Sequence, residues 1–106
     1  MFLKFREIAL IESSIINGRI YFPSTDIKFF PADAFADREI SGHKGNVVLF
    51  YVGGKKLETD IGICSGKRIS PRKSFAFFFR EVSAKSGEVL KISRLSDREY
   101  QIEQLK

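Results

Sequence analysis

The residues with the clearest chemistry in this chain are cations. Between Ile61 and Arg80, in the stretch IGICSGKRISPRKSFAFFFR, twenty residues include Lys67, Arg68, Arg72, Lys73 and Arg80 and no acid. Residues 1–60 hold eight basic and eight acidic side chains, and residues 81–106 hold five of each. The formal charge of +5 and the pI near 9.5 therefore arise in one place. Solubility does not require such a cluster, whereas meeting a polyanion does. Arginine forks onto guanine O6 and N7, and either cation pairs with phosphate oxygens. Lys67, Arg68, Arg72 and Lys73 are thus candidate DNA contacts, and the plainer alternative is a solvated basic loop. Upstream, Asn17 and Arg19 flank a turn signal and suit adenine and guanine edges, unless they simply build a hairpin turn. Asp60, just ahead of the cluster, can accept from a cytosine amino group, but orientation of an arm arginine or plain exposure is the stronger reading.

Catalysis needs paired acids, an activated nucleophile or a metal cluster, and the sequence displays none, so no catalytic residue, cofactor or metal is expected. Asp26-Ile27-Lys28 echoes the acid-x-lysine half of a nuclease site, a triplet that arises often by chance. His43 sits in a glycine loop without a Cys or carboxylate at ligand spacing, which favours simple exposure over metal binding. Phe75, Phe77, Phe78 and Phe79 have faces on which unpaired bases could stack, but a stripe of Phe reads first as core. There is no Walker-type loop and no zinc-finger spacing.

These residues need a frame to hold them. At 106 residues, with 43% hydrophobic content and eleven Phe, one domain with one core is expected. The chain has no run of eighteen apolar residues, so no membrane partner is expected. MFLKFREIAL is too broken by charge for a secretory signal, and a lone Cys64 fits a reducing, cytoplasmic setting. A first strand is expected within 5–12, then a polar interruption at Ser13, Ser14, Asn17 and Gly18 with a hairpin signal at Asn-Gly. Short extended runs at Arg19–Phe22 and Ile27–Phe30 follow, separated by Pro23-Ser24-Thr25-Asp26. Pro31 and Asp33 start a short helix with Ala34, Phe35 and Ile40 on its apolar face, ending before Ser41-Gly42. Asn46–Val52 reads as a strand buried on both faces, and Gly53-Gly54 as a two-residue hairpin turn. Lys56–Ile63 alternates as one half-exposed strand, with Asp60 outward, that feeds a polar loop from Ser65 to Ser74. Ser74 caps a helix whose buried stripe is Phe75, Phe78, Phe79 and Val82. Strands at Glu88–Ser93 and Glu99–Gln104, joined by Ser96-Asp97-Arg98, close the chain.

The order of these elements resembles the DNA-binding pseudobarrel family, which includes the plant B-three transcription-factor domain and target-recognition domains of certain type II restriction endonucleases. The resemblance rests on Phe29-Phe30-Pro31-Ala32-Asp33-Ala34-Phe35, Thr59-Asp60-Ile61 ahead of the basic loop, the Phe75–Phe79 helix, Gly87-Glu88-Val89-Leu90-Lys91-Ile92 and Tyr100-Gln101-Ile102. It covers the chain from about Arg19 to the C-terminus. The chain lacks the Trp common near the second helix of the plant proteins and has Glu88 where they place Asp, which moves it toward the prokaryotic branch. The resemblance implies a mainly β fold, an open seven-stranded pseudobarrel with two short flanking helices, gripping duplex DNA in the major groove by two arms. By position the N-arm falls within 12–28 and the C-arm within 64–73. The DNA-binding residues then implied are Asn17, Arg19, Tyr21, Ser24 and Lys28, with Asp60, and Ser65, Lys67, Arg68, Ser70, Arg72 and Lys73. The implied role is sequence-specific binding of double-stranded DNA by a domain monomeric in itself, within a cytoplasmic prokaryotic restriction endonuclease whose covalently linked nuclease domain does the cutting. Alternatives are a small β-barrel for single-stranded nucleic acid, a stand-alone nuclease built on Asp26 and Lys28, and a protein–protein scaffold using the basic loop.

Overall fold

In a computed structural model, the chain is described over residues 4–36, 45–64 and 68–105. The expectations for Ile40, Ser41, Gly42, His43, Lys44, Ser65, Gly66 and Lys67 fall outside those residues. The described elements are β1 (Lys4–Ala9), α1 (Glu12–Asn17), β2 (Phe22–Pro23), 3-10 segments at Ser24–Phe29 and Ala32–Ala34, β3 (Val48–Val52), β4 (Lys55–Thr59), β5 (Ile61–Cys64), β6 (Arg68–Pro71), α2 (Ala76–Glu81), β7 (Val89–Arg94) and β8 (Glu99–Leu105). The strands form a five-stranded sheet in the order β1-β7-β8-β3-β4 and a three-stranded sheet in the order β2-β6-β5. Neither sheet closes on itself, so the fold is mainly β and open, with eight described strands where seven were expected.

The large sheet follows its sequence pattern. In β3 the side chains of Val48, Phe50 and Val52 are buried while Leu49 and Tyr51 are half-buried, so the strand buries one face rather than two. Gly53 and Gly54, at φ 58° and 76°, supply the two left-handed residues of a tight hairpin to β4. Strands β7 and β8 pair antiparallel in register from Val89↔Leu105 to Arg94↔Tyr100, and β8 lies parallel to β3. Helix α2 lays Phe78 and Phe79 into the core beside Phe75, as the i, i+3, i+4 spacing predicts. The Ser74 hydroxyl accepts from the Ala76 amide at 3.1 Å, at the start of that helix.

The core is aromatic. Phe50 and Tyr100 stack with ring centroids 5.2 Å apart, and Phe30 meets Phe22 edge-on at 5.1 Å. Tyr100 also donates its hydroxyl to the Phe29 carbonyl at 2.7 Å, which leaves no polar loss from burying it. Burial pushes the Tyr100 phenol up to about 12.

Four local expectations are corrected. Residues 12–17 form α1, because the Ser14 hydroxyl accepts from the Ile11 amide at 3.2 Å and closes a helical turn. The Asn-Gly pair is its stop signal: Gly18 takes φ 64°, and a Cβ there would come within 2.6 Å of Ser74 Oγ. Ile27–Phe30 is extended only at Phe30; Ser24–Phe29 winds as a 3-10 helix that turns Phe29 and Phe30 into the core, with Asp26 pinned to Arg6 at 2.9 Å. The helix expected after Pro31 is a single 3-10 turn at Ala32–Ala34, after which Phe35 runs beside Ile61 and Ala36 donates to its carbonyl at 2.9 Å. Finally, Lys56–Ile63 is two strands: the chain leaves the large sheet after Thr59 and enters the small one at Ile61.

Candidate nucleic-acid interface

The switch between sheets is made at Asp60. Its carboxylate is turned inward, where Oδ1 accepts from Arg72 Nε at 2.7 Å and Oδ2 accepts from the Gly45 amide at 2.9 Å. Its carbonyl accepts from the Arg72 amide at 3.0 Å. The neighbouring Thr59 hydroxyl accepts from the amides of Arg72 and Lys73, both at 3.1 Å. Asp60 is only 7% exposed, so a free carboxylate there would be costly; the arginine and the amide offset its desolvation. Asp60 thus orients Arg72. The stem of Arg72 crosses Gly62 so closely that a Cβ at that position would lie 3.1 Å from Arg72 Cγ.

The basic stretch is not a loop throughout. Residues Arg68–Pro71 form β6, the central strand of the small sheet, between β2 and β5. Pairing on both sides explains the difference: Ile69 is buried opposite Phe22, and Ser70 and Pro71 are buried as well. Ser70 donates its hydroxyl to the Pro71 carbonyl at 3.1 Å.

This strand brings the N-terminal candidates against the C-terminal ones. Arg19 donates Nη1 to the Pro71 carbonyl at 3.1 Å and also to the Arg72 carbonyl. Its own backbone is fixed at the end of α1, where Phe75 donates to the Gly18 carbonyl at 2.7 Å. Tyr21 lies under Arg68, whose guanidinium carbon is 4.7 Å from the ring centroid, and Asn17 Nδ2 donates to the Tyr21 hydroxyl at 3.2 Å. Arg19 and Arg72 stand between two open clefts. One, of about 520 Å³, is lined by Gly45, Glu58, Asp60 and Lys73; the other, of about 330 Å³, by Tyr21, Gly62, Ile63 and Ser70.

Six of the expected residues, Arg19, Tyr21, Asp60, Ser70, Arg72 and Lys73, therefore line these clefts, with Arg68 and Asn17 joined to them through Tyr21. Ser24 is exposed at the start of its 3-10 helix. Lys28 lines a separate apolar groove with Ile27, Phe30 and Phe35. Ser65 and Lys67 lie outside the described residues. Sequence reasoning missed the Gly45 amide and Glu58. The outward register of Glu58 on β4, two residues before Asp60, was the signal available for the latter. Away from the clefts the acids serve local ties. Asp33 is held below the usual carboxylate range by hydrogen bonds from Arg98 and Asn46, and Glu99 by those from Tyr51 and Ser96.

Among the described residues no helix is long and apolar enough to cross a membrane, and no group of three or more His, Cys, Asp or Glu side chains could hold a metal ion. Compared with known proteins, the chain matches no family model and no curated protein.

Proposed function

We propose that this chain binds double-stranded DNA sequence-specifically through two arms in the major groove, as the target-recognition domain of a prokaryotic type II restriction endonuclease. On this reading the cutting is done by a separate, covalently linked nuclease domain. The observation that carries it is the joining of the basic stretch to the distant segment that holds Arg19 and Tyr21, beside two open clefts. Arg19 is hydrogen-bonded to the main chain at Pro71 and Arg72, Tyr21 is stacked under Arg68, and clefts open on both sides of Arg19 and Arg72. A duplex presents phosphates and base edges to whatever enters its groove, and this layout offers Arg19 and Arg72 between the clefts, with Lys73 lining one and the polar side chains of Tyr21 and Ser70 the other. The resemblance of the element order to the pseudobarrel family supports the same reading.

Such a module covers roughly 600–1,000 Å² of its own surface on DNA. If about five phosphates are neutralised, the logarithm of affinity falls with the logarithm of salt at a slope of about −4 to −5. The deciding experiment is selection from a random duplex library, followed by titration of the enriched duplex against scrambled ones at several salt concentrations. Enrichment of one motif with that salt dependence is the expected result. Equal affinity for scrambled duplexes, a preference for the single strand, or salt-independent binding would overturn the proposal.

A further inference from the structure

Two arginines, Arg19 and Arg72, line the clefts and a third, Arg68, adjoins them over Tyr21; the three differ in how much of each guanidinium is already engaged. Arg72 gives Nε to Asp60, and Arg19 gives Nη1 to two main-chain carbonyls. Arg68 is exposed, and among the described residues no carboxylate or carbonyl accepts from its side chain. Its contact is the face of Tyr21, 4.7 Å away. A cation–π contact of this kind seats a guanidinium against a ring and takes none of its N–H donors.

The support beneath Arg68 is itself fixed. Asn17 holds the Tyr21 hydroxyl, and Asn17 ends a helix whose stop, Gly18, is bonded through its carbonyl to the Phe75 amide. The Arg68 backbone is set by pairing on both sides, opposite Pro23 and Cys64. Asn17 commits one of its two amide N–H donors to Tyr21, which ties its side chain to the support beneath Arg68.

Resting on the DNA-binding reading above, we infer that Arg68 is the residue that reads a guanine, donating to its O6 and N7. Tyr21 and Asn17 position it. Arg19 and Arg72, each tied to acceptors of the protein itself, hold the two segments in register. Guanine is the partner because it alone presents two adjacent acceptors in the major groove; adenine pairs an acceptor with a donor, thymine offers one acceptor and cytosine a donor.

The test uses the duplex enriched by the unmodified protein, remade with 7-deazaguanine at each guanine in turn. That base keeps its Watson–Crick pairing and loses only the N7 acceptor. One position should weaken binding about tenfold. The same replacement should cost nothing further in Arg68→Ala, whose thermal midpoint should match the parent because the side chain is exposed. Arg68→Lys separates the two roles of a cation: it should restore little, since an ammonium pairs with phosphate but does not fork. Tyr21→Leu should weaken discrimination at the same guanine while leaving the salt slope unchanged. An enriched site without guanine on either strand overturns the inference. So does a 7-deaza penalty that persists in Arg68→Ala, or full rescue by Arg68→Lys. In each of those cases sequence-specific binding itself still stands. Failure to enrich any duplex removes the DNA-binding reading, and this inference with it.

Discussion

The five-stranded sheet and the three-stranded sheet are built on different terms. In the first, strands of five to seven residues pair over long registers, and their inner faces meet around Phe50, Tyr100, Leu90 and Ile92. In the second, strands of two to four residues carry little pairing of their own. Polar contacts complete it: Asp60 on Arg72 and Gly45, Arg19 on the end of β6, and Thr59 on Lys73. Apolar burial is insensitive to direction, whereas hydrogen bonds fix angles and distances. The large sheet therefore supplies most of the strand pairing, while the small one shares the core through Phe22, Ile61 and Ile69 and carries the shape of the candidate interface in its polar contacts. Substitutions of the aromatic core should show in unfolding, and substitutions of the small sheet's polar contacts chiefly in binding.

The largest effect is expected at Phe50. Its ring stacks on Tyr100 and meets Phe75 edge-on at 5.7 Å, so Phe50→Ala removes contacts on both sides of the core. Denaturant titration should register a loss of about 3–5 kcal/mol. A cost below about 1 kcal/mol would mean that apolar packing does not hold the large sheet.

Asp60 tests the small sheet. Asp60→Ala strips a charged acceptor from Arg72 and from the Gly45 amide. A stability loss of about 1–3 kcal/mol is expected, smaller than at Phe50 because Arg72 is well exposed and regains water. Its larger consequence is for shape, and affinity for the enriched duplex should drop more than unfolding free energy does. Equal affinity in the variant would show that the Asp60–Arg72 tie does not organise the interface.

Tyr100 gives the comparison a pH axis. Its folded-state pKa is raised by burial from 10.0 to about 12, so the fold favours the neutral phenol. The stabilisation is fully present below pH 10 and is lost as pH rises toward about 12. Stability measured across that alkaline window should fall more steeply in the parent than in Tyr100→Phe. At neutral pH the variant should lose about 1–2 kcal/mol, because the Phe29 carbonyl is left without its donor. Parallel alkaline curves for the two proteins would refute the buried-phenol account.

The same contrast decides what could be read from the sequence. Strands β7 and β8, the Gly53-Gly54 turn and the α2 stripe are local patterns with one solution, and they were legible. The break at Asp60 was not, because Leu57, Thr59, Ile61 and Ile63 keep alternating straight through it. What bends the chain is a pair of contacts to Gly45 and Arg72, both distant in sequence. Helix α1 was hidden for another reason: Ser, Asn and Gly mark helix ends and hairpin turns alike, and six residues are too few for a period to show. At the candidate interface, residue types and the excess of charge could be read directly. The meeting of Tyr21 with Arg68, and of Arg19 with the β6 carbonyls, depends on strand pairing that composition does not encode.

Lys73 sets the lower end of the scale and separates charge from shape. Its amide is bound to Thr59 through the main chain, so Lys73→Ala keeps that contact and removes only an exposed ammonium. Stability should stay within about 0.5 kcal/mol of the parent. If the ammonium meets a phosphate, the salt slope of binding should become shallower by about 0.9, and affinity should fall by a similar factor for specific and scrambled duplexes. A fall confined to the enriched sequence would instead place Lys73 against a base edge. The division would then fail in an informative way, because a flexible lysine would be reading bases where the proposal assigns that task to Arg68.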